Sequence, residues 1–204
     1  MQNEKKNIFE NYLKTAFESG YSNAASSFSK MSKEKIYFNN FQFGFHKLDS
    51  KFSSERPLLG RTGENILITT DIFGDVTGKS YFFLNDKEFE LLTNTIPQGR
   101  DPKINLKEEF AKEVDNILSA SVITELANEL KVKMYGDVPI LVGKVCGNIE
   151  DIIFDDFRET TQEIYINSIF FSFENQPVIK PFFIWVVSSN VQRILEEKIA
   201  VLNP

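Results

Sequence analysis

Apolar residues recur at three-to-four spacing over Ile8, Phe9, Leu13, Phe17, Ala24, Ala25 and Phe28, which predicts a first helix between Ile8 and Met31, interrupted near Gly20. The aromatic, partly alternating stretch Lys35 to Phe45 predicts a strand, and the Ser-, Pro- and Gly-containing stretch from Lys47 to Glu64 a loop. Asn65–Phe73 and Gly78–Leu84 pair as an antiparallel hairpin around Gly74-Asp75, and Asn85-Asp86 caps a helix running through Leu91 and Leu92. Pro97 to Pro102 breaks the chain. The longest helical pattern covers about Leu106 to Val132, is ended by Tyr135-Gly-Asp-Val-Pro139, and feeds a short strand, Ile140–Val142. A short helix over Asn148–Phe157, strands over Gln162–Phe173 and Val178–Val187, and a last helix from Ser188-Ser-Asn through Ile199 complete the chain.

The order helix, strand, hairpin, helix thus occurs twice without detectable sequence identity between the copies. It predicts an α+β fold, a pseudo-twofold repeat of helices and strands with a mostly antiparallel sheet and long helices packed on it. One domain over 1–204 is expected, with halves of about 1–98 and 99–204.

Composition narrows the chemistry. The 204 residues include 20 Phe, which calls for a core or sheet rich in aromatic packing. A balance of 23 Lys+Arg against 29 Asp+Glu, net −6, disfavours a nucleic-acid partner. No apolar run approaches the roughly 20 residues of a bilayer span, so no membrane insertion is expected. The N-terminal stretch lacks the apolar core of a signal peptide, and the one cysteine, Cys146, fits a reducing compartment, so a cytoplasmic location is expected. One histidine and one cysteine leave no zinc constellation, no metal site and no Ser-His-Asp triad, and no Gly-rich nucleotide loop is present. His46 reads as a strand residue with a satisfied hydrogen bond.

On the long helix, Phe110, Val114, Ile117, Leu118 and Val122 share one arc and face the core. Glu113 and Asn116 stand together on another side, Asn116 nearly opposite that arc. Ala120 follows on the same stripe and Ile123 lies close by as an exposed aliphatic residue. From geometry alone this is either a solvated helix face or a shallow docking face. Glu-x-x-Asn occurs three times, at Glu4/Asn7, Glu113/Asn116 and Glu125/Asn128, against about 1.6 expected from random placement. The pair therefore carries no information alone. The residue 23 positions beyond each Asn separates the copies: it is Lys30, Pro139 and Asp151 respectively.

With Glu109 four residues before Glu113, this pattern resembles the CheC/CheX/FliY chemotaxis phosphatases. That family carries an acidic residue or serine, three residues, Glu, two residues, Asn, 22 residues, then Pro. Glu replaces the usual Asp or Ser at position 109, and Ala120 stands where a glycine is frequent. The Ile68-to-Leu84 hairpin with Gly74-Asp-Val-Thr-Gly78 looks like the family hairpin, and Phe182-Phe-Ile-Trp followed by Ser-Ser-Asn and a helix looks more like CheC than the shorter CheX. CheC usually carries a second motif on its first half. Here Thr15 and Glu18 fall at its Glu and Asn positions and Phe41 at its Pro position, so the resemblance implies a degenerate first half and one active face.

The resemblance implies hydrolysis of the aspartyl phosphate of a phosphorylated CheY-like response regulator. Asn116 would orient the attacking water and Glu113 would pair with the partner's active-site lysine. Glu109, Ala120 and Ile123 would meet the partner, and Pro139 would be a structural element of the motif. No cofactor of the chain's own is implied; Mg²⁺ is expected on the regulator. A CheD-like protein is a further implied partner. The alternative is a non-catalytic CheC/FliY-like adaptor that binds a regulator or a CheD-like protein.

Overall fold

The computed structural model describes residues 2–33, 35–49, 63–93, 105–159, 163–175 and 180–202. In chain order these form α1 (Gln2–Ser32), β1 (Ile36–Lys47), β2 (Glu64–Gly74), β3 (Gly78–Leu84), α2 (Asp86–Thr93) and α3 (Leu106–Leu130). They continue as β4 (Met134–Gly136), β5 (Ile140–Cys146), α4 (Ile149–Phe157), β6 (Glu163–Phe173), β7 (Phe182–Ser188) and α5 (Asn190–Leu202). Of the loop expected over Lys47–Glu64, the end residues belong to β1 and β2 and positions 50–62 lie outside the described residues, as does the break expected at Pro97–Pro102.

The strands form one seven-stranded sheet in the order β1-β6-β7-β3-β2, with β4 and β5 both paired to the outer side of β2. Every pairing is antiparallel. The order reads the same from both ends once β1 is matched with β5, β6 with β2, and β7 with β3. This is the anticipated twofold repeat, with its pseudo-axis between the central strands and α1 matched to α3.

Both faces of this sheet are covered, which explains why β7 is apolar without alternation. Phe183, Trp185 and Val187 point into a core shared with α1 and α3, whereas Phe182, Ile184 and Val186 join Ile149, Ile153 and Phe157 of α4 on the other face. Much of the aromatic content fills the layer beneath α1. Phe17 lies 5.8 Å from Tyr165 and 6.0 Å from Trp185, and Trp185 stacks on Phe183 at 4.1 Å. Burial of each such ring is worth about 1.5–3 kcal/mol.

Local signals explain several boundaries. Asn85 Oδ1 accepts from the Glu88 N–H and Glu88 Oε2 accepts from the Asn85 N–H, both at 2.9 Å, a reciprocal cap that starts α2. Helix α3 begins at Asn105, whose Oδ1 accepts from the Glu108 N–H at 3.4 Å. It ends at Leu130, close to the expected Val132, because Lys131 turns left-handed with φ 55° and the Val132 N–H reaches back to the Ala127 carbonyl at 3.1 Å. Tyr135 and Gly136 consequently belong to β4, a strand three residues long that the hydrophobic pattern does not announce.

The expected interruption of the first helix is absent: α1 is continuous through Gly20. The glycine serves packing. A Cβ there would stand 2.7 Å from the Cα of Val122, so α1 and α3 cross with their backbones in near contact. Gly20→Ala should therefore destabilise the protein by about 1–3 kcal/mol through overpacking, despite alanine's better helix propensity. Urea unfolding of the variant checks this; equal or greater stability would contradict the close crossing.

Candidate functional site on the outer face of α3

The apolar arc of α3 seats it firmly. Ala111, Val114, Leu118 and Val122 are fully buried. What remains outside is a row at helical three-to-four spacing, Glu109, Glu113, Asn116 and Ala120, all exposed. Glu109 is paired with Lys112 at 2.6 Å. Glu113 and Asn116 engage no other side chain among the described residues. Their carboxylate and amide face solvent one turn apart, on a helix whose opposite side is locked into the core.

Ile123 does not belong to this face. It is 3% exposed and part of the core, and its Cδ1 lies 3.0 Å from where a Cβ on Gly136 would be. Strand β4 covers that side of the helix, so the expected exposed aliphatic contact is corrected to a buried one. Pro139 is buried one residue before β5, in the segment that the Asp137 N–H ties to the Asp71 carbonyl of β2 at 2.9 Å. With α3 ended at Lys131, Pro139 does not terminate the helix. On α1, Thr15 and Glu18 are exposed; the Thr15 hydroxyl donates to the Asn11 carbonyl at 3.0 Å and Glu18 pairs with Lys14 at 3.7 Å. His46 lies in β1 opposite Ile164.

Two polar residues on the inner side of α3 escape the hydrophobic pattern. Asp115 and Ser119 occupy apolar-arc positions and are 0% and 1% exposed. Asp115 Oδ2 accepts from Thr70 Oγ1 of β2 at 2.5 Å, and the hydroxyls of Ser119 and Ser80 are 2.9 Å apart. Burial pushes the Asp115 carboxyl up to about 7, against the pull of the Thr70 and Ser119 hydroxyls. A signal does exist in the sequence: a carboxylate three before Leu118 and four after Ala111 interrupts the core-facing stripe.

No family model matches the chain, and no curated protein sequence does. Solved structures do. FliY of Thermotoga maritima superposes with a TM-score of 0.59 at 18% identity, over 95% of this chain and 94% of that one. The chain has the fold of the CheC/CheX/FliY proteins. A CheX of Desulfovibrio desulfuricans superposes with a TM-score of 0.50 at 11% identity, over 84% of this chain and 97% of that one. The FliM middle domain of Vibrio alginolyticus gives 0.54 at 8% identity, over 89% and 98%. One fold thus carries proteins of different names, and the choice among functions rests on the residues presented.

No helix among the described residues is long and apolar enough to cross a membrane, and no cluster of three or more His, Cys, Asp or Glu among them could hold a metal ion. The outer face of α3 offers an uncharged amide beside one carboxylate. Because both side chains are exposed, Glu113→Ala and Asn116→Ala should each change unfolding free energy by less than about 0.5 kcal/mol. Thr70→Val, which strips a buried acceptor of its donor, should cost about 1–3 kcal/mol. Urea titrations of the three variants decide; the reverse order would mean that the outer row is structural.

Proposed function

We propose that this chain is a phosphatase for a CheY-like response regulator, hydrolysing the aspartyl phosphate that the regulator carries. The observation that supports it is the Glu113–Asn116 pair: exposed, without side-chain partners among the described residues, and rigidly backed by α3. A helix face of this kind can enter a partner's active site without rearranging. In the proposed reaction, the oxygen of a water molecule forms a bond to phosphorus while the bond to the aspartyl oxygen breaks, and inorganic phosphate and free carboxylate result.

Asn116 orients that water. Its amide offers donor and acceptor together and adds no negative charge next to the phosphoryl oxygens, where a carboxylate would repel them. Glu113 pairs with the partner's active-site lysine and fixes the register of docking. Ala120, exposed and small, lets the partner approach the helix closely. Glu109, held by Lys112, contributes at the rim of the contact, where charge pairs are worth little. Pro139 is structural, and Mg²⁺ belongs to the regulator. A cytoplasmic location and control by a CheD-like protein are part of the same proposal.

A non-catalytic adaptor is the second reading, and one feature favours it. Phe73, Tyr135, Val138, Ile140 and Val142 are large apolar residues exposed along the β2, β4 and β5 edge, a surface suited to protein contacts. Phosphate release from purified phospho-regulator separates the two. The phosphatase reading expects wild type to accelerate release, Asn116→Ala to lose most of the turnover with partner binding nearly intact, and Asn116→Asp to fail as well through its added charge. Glu113→Ala should weaken capture by about 1.5–3 kcal/mol, whereas alanines at both Thr15 and Glu18 should leave turnover within about twofold. Binding without acceleration would establish the adaptor instead.

A further inference from the structure

An amide that places a water molecule must itself be held still, and the role assigned to Asp115 below rests on the phosphatase reading of Asn116. Asp115 precedes Asn116 in the chain but faces another way, because one helical residue turns about 100°. Its carboxyl is completely buried between α3 and the sheet. Thr70 donates to one oxygen at 2.5 Å, the other oxygen is buried without a hydrogen-bond partner, and Ser119, one turn on, has its hydroxyl 2.9 Å from that of Ser80. Thr70 and Ser80 are themselves direct partners across the β2–β3 ladder. Four polar side chains thus form one buried patch that joins the Glu113–Asn116 turn to two adjacent strands.

The other half of the molecule supplies a comparison. The alignment that sets Thr15 opposite Glu113 and Glu18 opposite Asn116 sets Phe17 opposite Asp115 and Tyr21 opposite Ser119. Under α1 the Tyr21 hydroxyl donates to Asn167, and Asn167 partners Trp185 across β6–β7 as Thr70 partners Ser80 across β2–β3. A polar contact to the sheet is therefore common to both halves. The acid is not: it occurs only beneath the helix that carries the Glu–Asn pair.

We propose that Asp115 is the positioning residue of this site, which pins one turn of α3 to β2 and β3 and so fixes where the Asn116 amide stands. Ionisation in that place is opposed because the carboxyl is closed off from water, with few donors to replace it. The charged groups on the surrounding elements are otherwise engaged. Glu88 of α2 is bonded to Asn85 and Glu90 to Lys107. Glu18 of α1 pairs with Lys14, while Asp71 and Glu64 of β2 pair with Lys79 and Lys144. Lys198 of α5 meets Tyr12 and the Glu129 carbonyl at the far end of α3. None of them contributes to the Asp115 shift, whose causes are burial and the two hydroxyls.

The test uses the full chain with Asp115→Asn and Asp115→Leu, and follows phosphate release from phospho-regulator between about pH 6 and 8.5, a range that brackets the raised carboxyl. Wild-type kcat should fall as pH rises through about 7, as the carboxyl ionises and the turn is unseated. Asp115→Asn, neutral and of the same shape, should keep wild-type turnover at low pH within about threefold and lose that limb. Asp115→Leu should lower kcat at least about tenfold with little change in KM. An identical pH limb in Asp115→Asn, or an unchanged kcat in Asp115→Leu, would overturn the proposal. Thermal unfolding reads the pin without any activity. The folded carboxyl is raised from 3.8 to about 7, so the stability it contributes is complete below the lower value and lost as pH rises through the upper one. The wild-type melting midpoint should therefore drop relative to Asp115→Asn between about pH 4 and 7 and level off above that. Parallel midpoints would refute the pin even in a chain that proved to be no phosphatase, whereas diverging midpoints in an inactive wild type would leave the pin standing and remove only the phosphatase reading.

Discussion

Two long helices share one face of a single sheet, and they fit there because Gly20 lets the backbone of α1 meet α3 at Val122. The crossing leaves each helix with one side in the core, one side against its counterpart and one side in solvent. For α3 the core side, from Ala111 to Leu130, is apolar except at Asp115 and Ser119. Such a helix cannot rotate without exposing Val114, Leu118 and Val122, each worth about 1.5–3 kcal/mol of burial. The outward row from Glu109 to Ala120 is therefore fixed in direction before any partner arrives. Preorganisation of this kind is what an amide needs if its task is to place a water molecule.

The two halves have kept the scaffold and divided in chemistry. Strand order is symmetric about the β7–β3 pair, and both long helices touch the sheet through a buried polar contact. Beneath α1 that contact lies among Phe17, Tyr21, Tyr165 and Trp185, an aromatic layer suited to stability. Beneath α3 it includes a carboxyl. Above α1 stand Thr15 and Glu18, and above α3 Glu113 and Asn116. The motif and the buried acid occur together on one helix.

Much of the architecture is legible in the sequence because its patterns are strong. The hairpin around Gly74, the helix with the Glu–Asn pair and the apolar strand read as ending at Val187 all follow from local pattern, and the repeated order of elements foretells the symmetric sheet. The errors have local causes. Glycine inside a helical pattern reads as a break, but at position 20 a tertiary contact decides its use. The end of α3 depends on a lysine entering the left-handed region, which lysine composition does not signal, and β4 is too short to show a period. That missing strand is also why Ile123 looks exposed in the sequence and is buried in the structure. Asp115 escapes notice for the opposite reason: a charged residue is assigned to solvent by habit, although its spacing assigns it to the core.

The central claim is that the outer face of α3, and no other surface, receives the regulator's active site. Mapping backbone amide resonances of this protein as a regulator locked in an acyl-phosphate-like state is added tests it directly. The account predicts that the largest shifts lie between Glu109 and Ala120, with Thr15 and Glu18 undisturbed. Shifts confined to α1, or to the apolar edge at Tyr135, Ile140 and Val142, would contradict it.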